Sequence, residues 1–188
     1  MPKTLISTPL NITTSDTAVS TVDITSGIDD TYSVYEFHFY NIHASDDDAE
    51  LQFQVNASDG ADWNDSPLTT TFFSAYHNED DSGTPALSYH TGHDIANAAT
   101  FQNIHYNLWN NVNESGMSGS MTLYDPSSTT YVKHFMSRTQ NAQGDDVSVD
   151  VHAAGYINTT SAIDEISFKF DSGNIDAGVI KMYGLAKS

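Results

Sequence analysis

Cysteine is absent from this 188-residue sequence, which excludes a disulfide framework and any thiolate metal site. Long apolar runs are also missing, and no segment approaches the roughly 18 apolar residues of a membrane-spanning helix. The residues after Lys3 lack the apolar stretch that a secretory signal requires. We therefore expect a protein that is synthesised in a host cytoplasm and has no membrane partner.

Basic residues are scarce. Six Lys and Arg stand against 25 Asp and Glu, which gives a net charge of −19. Such a charge repels phosphate backbones, so a nucleic-acid partner is not expected. The acids cluster as Asp46–Asp48, Asp80–Asp81 and Asp145–Asp146 among Ser, Gly and Asn, a composition typical of solvated loops. An acidic surface of this kind suits concentrated salt, where screening shortens the range of repulsion.

Helical periodicity is weak throughout, whereas alternation with a period of two recurs. Tyr35, Phe37 and Phe39 alternate with polar residues, and the pattern of Leu51–Val55 is the same. The best helical candidate, Gly92–Thr100, is too short for more than about two turns. The other strand candidates are Ala18–Ile24, Thr69–His77, Phe101–Trp109, Met117–Tyr124, Thr130–Met136, Val147–His152, Ile166–Phe170 and Val179–Tyr183.

About ten short strands separated by turn residues predict an antiparallel β-sandwich. The length fits one domain, residues 1–188. We favour a jelly roll over an immunoglobulin-like sandwich, because the strands outnumber those of a roughly seven-stranded domain. The predicted fold class is therefore all-β.

Motifs for chemistry are few. The spacing of His90, His93 and Asp94 resembles a metal site, but a Gly-containing loop leaves its geometry unconstrained. The loop Asp171–Asp176 fails the EF-hand pattern, since Gly173 and Ile175 occupy positions where oxygen ligands are needed, and a turn is expected instead. The sequence contains no nucleophile elbow, phosphate loop or zincin motif. We predict no catalytic residue, no metal ligand, no cofactor and no enzymatic activity.

Exposed aromatic residues offer a second kind of site. The candidates for a sugar-binding platform are Trp63, Trp109, Tyr76, Tyr89 and Tyr106. Core packing is the expected role of most of them, because aromatic side chains supply much of the buried area of a sandwich. Trp63 is the exception, because it lies in the polar segment 60–65, where an exposed Trp marks a contact site. Trp63 is therefore the predicted contact with a glycan or a protein partner.

Several phrases of the sequence are similar to those of a known group of proteins. They are Ser26–Tyr32, which leads into Tyr35–Phe39, then His77–Ser82, Ser128–Phe135, Asn158–Ile166 with Lys169–Asn174, and Met182–Gly184. Together they resemble small virion-associated proteins of marine bacteriophages, described as tail-fibre or structural proteins. The resemblance extends over roughly residues 20–185. It implies a component of a phage particle and transfers no catalytic or ligand residue.

Two placements on the particle stay open. The first is a capsid decoration (cement) protein on the outer surface of the head, with the major capsid protein as its partner. The alternative is a trimeric tail-fibre or appendage tip that binds host surface glycans. A protein that acts by covering the particle surface is expected to assemble with copies of itself. Phe72 and Phe73 also place apolar residues on both faces of one strand. Both features favour a closed homo-oligomer, and a trimer is predicted. Lys3, Lys181 and Lys187 lie near the chain ends and are the predicted capsid-docking residues.

Overall fold

The structure is a computed structural model that describes residues 2–57, 63, 66–110, 115–144 and 146–186, and within these ranges the chain is all-β. The strands are β1 Lys3–Ile12, β2 Thr21–Ile24, β3 Tyr32–Ala44, β4 Leu51–Ala57, β5 Leu68–Asn78, β6 Ala86–Tyr89, β7 Ala96–Ala98, β8 Gln102–Asn103, β9 Met117–Tyr124, β10 Lys133–Gln143, β11 Val147–Ile157, β12 Ile163–Phe170 and β13 Ile175–Ala186. None of the described residues belongs to a helix that could cross a membrane.

The strands form two antiparallel sheets. The larger sheet has nine strands in the order β1-β13-β3-β9-β10-β11-β5-β6, with β7 also paired to β5. The smaller sheet has four strands in the order β2-β12-β4-β8. This architecture confirms the predicted antiparallel β-sandwich. The preference for a jelly roll is not confirmed, because a jelly roll divides about eight strands between its two sheets.

Alternating side chains explain why these segments form strands. In β3, Tyr35, Phe37 and Phe39 are buried while Glu36 and His38 are half-buried on the other side. In β10 the alternation continues from Lys133 to Ala142 without a break. Side chains of a strand point to opposite faces in turn, so each strand turns one set toward the small sheet. In β3 this set is aromatic, whereas in β10 it is Phe135 together with the polar side chains Lys133, Ser137, Thr139 and Asn141.

Aromatic side chains tie the two sheets together. Phe168 of the small sheet packs edge-on against Phe37 and Phe39, with ring centroids 5.4 and 5.3 Å away. Phe53 of the small sheet meets Phe135 of the large sheet at 4.8 Å. All five rings are at most 1% exposed. Burying one such side chain is worth roughly 1.5–3 kcal/mol, so these contacts stabilise the sandwich strongly.

Two of the segments assigned from the sequence take a different form in the structure. The pattern of Phe101–Trp109 predicts a strand, but only Gln102–Asn103 pairs with β4, and Ile104 and His105 instead donate backbone hydrogen bonds to Leu51 O. This irregular segment covers β4 and is therefore buried. Its buried apolar residues produce an alternation that resembles that of a strand. The helical candidate 92–100 is not helical, since Ala96–Ala98 pairs with β5.

The predicted turn at Asp171 is confirmed. Phe170 ends β12 and Ile175 begins β13, and the Asp171 carboxylate accepts a hydrogen bond from Glu50 N at 2.8 Å. Gly173 has a φ of 68°, a conformation that side chains disfavour. The segment therefore acts as a tight connection between two core strands.

Candidate functional site

The side of the nine-stranded sheet that points away from the small sheet is called the outer face here. Directly paired residues of neighbouring strands point to the same side of a sheet, so the outer face can be followed from strand to strand. One row across it consists of Lys181, His38, Ser120, Arg138, His152, Phe73 and Tyr89. The small sheet packs on the opposite side, so its described strands leave this row uncovered.

Exposed apolar side chains concentrate on the outer face. Of the eight large hydrophobic side chains that are strongly exposed in the described ranges, seven lie there: Leu5, Tyr40, Leu87, Tyr89, Tyr124, Met136 and Tyr156. The eighth, Tyr131, is in the loop between β9 and β10. Apolar groups gathered on one surface mark an interaction site, whereas scattered ones do not. The outer face is therefore the candidate functional site.

One half of the outer face, formed by β1, β13 and β3, carries a charged cluster. Lys3 Nζ donates to the carboxylate of Glu36, and His38 Nε2 lies 2.9 Å from the same carboxylate. Burial raises the pKa of Glu36, but the hydrogen bonds from Lys3 and His38 outweigh it and the pKa is lowered overall. Glu36 is thus held as an anion that fixes the Lys3 side chain on the sheet.

Lys181 lies in the same half. Its Nζ is 5.6 Å from the centroid of the Tyr40 ring, a cation–π contact at a partly exposed site. No carboxylate among the described residues forms an ion pair with this amine, so its charge is available to a partner. The structure thus brings Lys3 and Lys181 onto one surface, while Lys187 lies outside the described residues.

The centre of the outer face is held by an ion pair. Arg138 donates to Asp150 through Nε at 3.0 Å and Nη2 at 2.8 Å, and these hydrogen bonds lower the pKa of the Asp150 carboxyl. Beside it, the His152 ring stacks on Phe73 with a centroid distance of 4.9 Å and an interplanar angle of 2°. The Arg138 side chain is 70% exposed, so its ion pair with Asp150 orients the side chain without adding much stability.

The acidic loops lie at one end of the large sheet. β3 and β5 run in the same direction because an even number of antiparallel steps separates them, so the loops that follow them are at the same end. These loops carry Asp46–Asp48 and Asp80–Asp81, and a hydrogen bond of 2.7 Å joins Glu79 N to Asp146 O nearby. Lys3 pairs with Leu185 at the opposite end, so the described chain ends lie side by side.

The histidines of the metal-like motif have separate partners. His90 Nε2 lies 2.7 Å from Ser74 Oγ, whereas His93 Nδ1 accepts a hydrogen bond from Asn103 at 2.7 Å. Asp94 accepts one from Tyr89. The described residues contain no group of three or more His, Asp or Glu side chains arranged to hold a metal.

A hydroxyl–imidazole pair has the distances of a nucleophile and its base but not the access. Ser74 Oγ contacts both His90 Nε2 and, at 2.9 Å, Tyr106 OH, but the serine is completely buried. A nucleophile must reach its substrate, and this hydroxyl is closed to solvent. The pair instead links β5 to the covering segment that contains Tyr106, and its role is structural.

The structure distributes the predicted aromatic residues widely. Trp63 is half-buried, and its neighbours 58–62 and 64–65 lie outside the described residues. Trp109 packs on Gly144, where an added Cβ would stand 2.1 Å from the indole. Tyr106 packs against Phe72 and the two histidines, and Tyr76 contacts the core. Of these five side chains, Tyr89 is the one that lies exposed on the outer face.

Sequence reasoning missed the remaining side chains of the outer face. Tyr124 and Met136 end predicted strands, and Tyr40 and Tyr156 follow alternating segments. The alternation of apolar and polar residues within each strand places these four side chains on the face opposite the core. An aromatic residue at a position expected to face outward was the available signal within a strand. The order of the strands in the sheet, which places these residues on one surface, cannot be deduced from a single sequence.

Comparisons of this chain with protein-family models, with curated proteins and with solved structures find no match. A function must therefore be argued from the residues of the outer face and from the distribution of charge around it. Both favour binding to a partner surface.

Proposed function

We propose that this chain is a non-enzymatic structural protein of a bacteriophage particle, bound as a decoration protein on the outer surface of the head. The proposal rests on the uneven distribution of surface groups: exposed apolar side chains lie on the outer face, and acidic loops lie at one end of the large sheet. The sequence resemblance to virion-associated phage proteins supplies the setting. The partner is the major capsid protein, and the chain acts as a closed homo-oligomer, a trimer.

The docking surface is the half of the outer face formed by β1, β13 and β3. It combines the exposed apolar groups Leu5 and Tyr40 with the available amine of Lys181. The ion pair between Lys3 and Glu36 is already formed, so docking need not desolvate a lone charge there. Removing an unpaired ion from water costs several kcal/mol, so the Lys181 amine must meet a carboxylate of the capsid protein when this surface is buried.

The acidic loops face the medium in this arrangement. Asp46–Asp48 and Asp80–Asp81 lie at the end of the sheet opposite to Lys3. A carboxylate left in water keeps its hydration, whereas one pressed against a capsid without a partner loses it. The chain therefore orients on the particle so that the surface with the lowest cost of desolvation is the one that is buried.

A glycan-binding tail-fibre or appendage tip is the second candidate. The exposed tyrosines Tyr124 and Tyr156 on the other half of the outer face favour it, because stacking of ring faces is a common mode of sugar binding. Trp63 keeps its predicted role as a contact residue in this candidate.

The test is binding of the purified protein to phage particles that lack it. Lys181→Glu is expected to weaken binding at least tenfold, or about 1.4 kcal/mol, because it reverses the available charge of the docking surface. The matched control is Lys169→Glu, which makes the same charge change on the small sheet, where Lys169 Nζ lies 4.3 Å from the Phe101 ring centroid.

Equal effects of the two variants would contradict docking through this half of the outer face. Light scattering checks the assembly, and a monomer at all concentrations would contradict the trimer. A cryo-electron microscopy map of the decorated particle locates the chain directly. Burial of the Asp46–Asp48 loop at the capsid contact would overturn the proposed orientation.

A further inference from the structure

The other half of the outer face, formed by β9, β10, β11 and β5, contains an open groove of about 450 Å³. Small-molecule sites are typically ~300–1,000 Å³, so the groove has room for a short oligosaccharide or a similar molecule. Its side walls carry the exposed rings of Tyr124 and Tyr156 and the side chains of His134 and Met136.

Small residues of β11 create the floor. Ala154 lies between Met136 of β10 and Thr71 of β5, and it is much shorter than its neighbours. Gly155 follows and contributes backbone alone, because it pairs with the buried residues Phe135 and Thr70 and a side chain there would point to the opposite face, where its Cβ would stand 2.4 Å from Thr69 O. The depression is therefore built into the sheet and does not depend on the movement of a loop.

The rings beside the floor are held in place. The His134 and Tyr156 ring centroids are 6.5 Å apart at an angle of 57°, and Tyr124 OH lies 3.9 Å from Met136 Sδ. Tyr124 and Tyr156 are still 38% and 36% exposed, which leaves ring surface free for a ligand. Rigid aromatic side chains lose little entropy on binding.

Among the described residues, the lining carries no Asp, Glu, Lys or Arg, although the chain as a whole has a net charge of −19. A charged ligand would find no opposite charge in this lining. Aromatic rings, an imidazole and threonine hydroxyls instead match a neutral ligand that has apolar C–H faces and hydroxyl groups. We propose that this groove binds a neutral saccharide, with pyranose rings stacked on Tyr124 and Tyr156.

A peptide strand is a poorer occupant. The groove lies in the interior of the large sheet, where β9, β10, β11 and β5 already pair with one another. Addition of a strand needs an unpaired edge, and these four strands offer none at the groove.

Saccharide binding does not rest on docking to a capsid. β13 and β11 are separated by four steps across the sheet. Neighbouring strands lie about 4.8 Å apart, so β11, which forms the floor of the groove, is about 19 Å from β13. Tyr124 borders the docking surface because it pairs with Val34 of β3, but Tyr156 and the floor lie beyond it, and a chain docked through β1, β13 and β3 leaves them open to the medium.

The experiment is a printed array of neutral gluco-, galacto- and manno-oligosaccharides together with sialylated and uronic-acid oligosaccharides, followed by calorimetric titration of the best binder. Binding of a neutral oligosaccharide is expected. Tyr156→Ala should weaken it at least tenfold, whereas Tyr156→Phe keeps the ring and should retain most of the affinity. Tyr40→Ala removes an exposed tyrosine from the other half and is the matched control.

Melting temperatures establish that each variant is folded. If Tyr156→Ala does not fold, Ala154→Gln fills the floor of the groove, leaves both rings in place and should abolish binding. The proposal is overturned if no neutral oligosaccharide binds at about 1 mM, if only acidic ones bind, or if Tyr156→Ala has no effect. Loss of sugar binding in Trp63→Ala alone would also overturn it.

These assays can contradict saccharide binding and capsid docking independently of each other. Lys181→Glu should bind the saccharide as the unmodified chain does, and Tyr156→Ala should still bind the particle.

Discussion

The buried histidine His105 is expected to make the stability of the fold depend on pH. Its Nδ1 lies 2.9 Å from Thr139 Oγ1, and that hydroxyl donates its own hydrogen to Ile104 O at 2.7 Å. Thr139 must therefore accept from His105, which places the imidazole proton on Nδ1. Complete burial disfavours the charged ring and lowers the pKa of His105 to about 4.

The sign of the effect follows from the two pKa values. The pKa is 6.5 for a free histidine and about 4 in the folded chain. Between these values the unfolded chain binds a proton that the folded chain does not, so stability is full above about pH 6.5 and falls as the pH falls toward 4. From about pH 7 to about pH 5 the loss is roughly 2 kcal/mol.

The assay is urea denaturation at these two pH values and constant ionic strength. His105→Asn keeps a side-chain N–H for Thr139 but cannot titrate, so its free energy of unfolding should fall by about 2 kcal/mol less than that of the unmodified chain. Burial lowers the pKa of His90 as well, but this contribution is common to both proteins and cancels.

A second variant separates titration from simple destabilisation. Thr139→Ser keeps the hydroxyl and the histidine, so it should lower stability without changing the response to pH. Equal responses of the unmodified chain and His105→Asn would refute the reasoning. That result would mean that His105 is hydrated or charged in the folded chain.

Two further substitutions test the packing. Tyr35 OH accepts from Asp29 N at 2.8 Å and donates to Asp29 O at 2.9 Å, so Tyr35→Phe should cost about 1–2 kcal/mol in urea denaturation. An unchanged free energy of unfolding would show that these bonds add nothing. Gly155→Ala forces Cβ against Thr69 O and should cost about 1–3 kcal/mol, whereas Gly92→Ala, with nothing within 4 Å, should stay within about 0.5 kcal/mol. Similar melting temperatures for the two glycine variants would contradict the close approach.

Much of the fold follows from the sequence, because alternation reports directly which residues face the core. Met117–Tyr124 is a strand with the predicted bounds. β1 escaped prediction because register shifts between Leu5 and Leu10 break the period of two, and Pro9 lowers the strand signal. Pro9 is tolerated because β1 is the edge of the sheet.

The candidate site could be predicted only in pieces. Lys3 and Lys181 form a predictable pair because the chain ends of a sandwich often meet. Tyr124 and Tyr156 come from strands that are not consecutive, and β10 separates them in the sheet. Their proximity depends on the pairing of strands that are distant in the sequence. Local patterns in a single sequence carry no information about that pairing.

The position of the acidic loops reconciles a net charge of −19 with a surface that docks. Glu36 is eight residues before Ala44, where β3 ends and the first acidic loop begins. At ~3.3 Å per residue the docking surface around Glu36 and Lys3 is about 26 Å from that loop. The screening length is about 8 Å at physiological ionic strength, so the loops barely affect the charge felt at the docking surface. Local pairs such as Lys3 with Glu36, and not the net charge, therefore decide what this surface can bind.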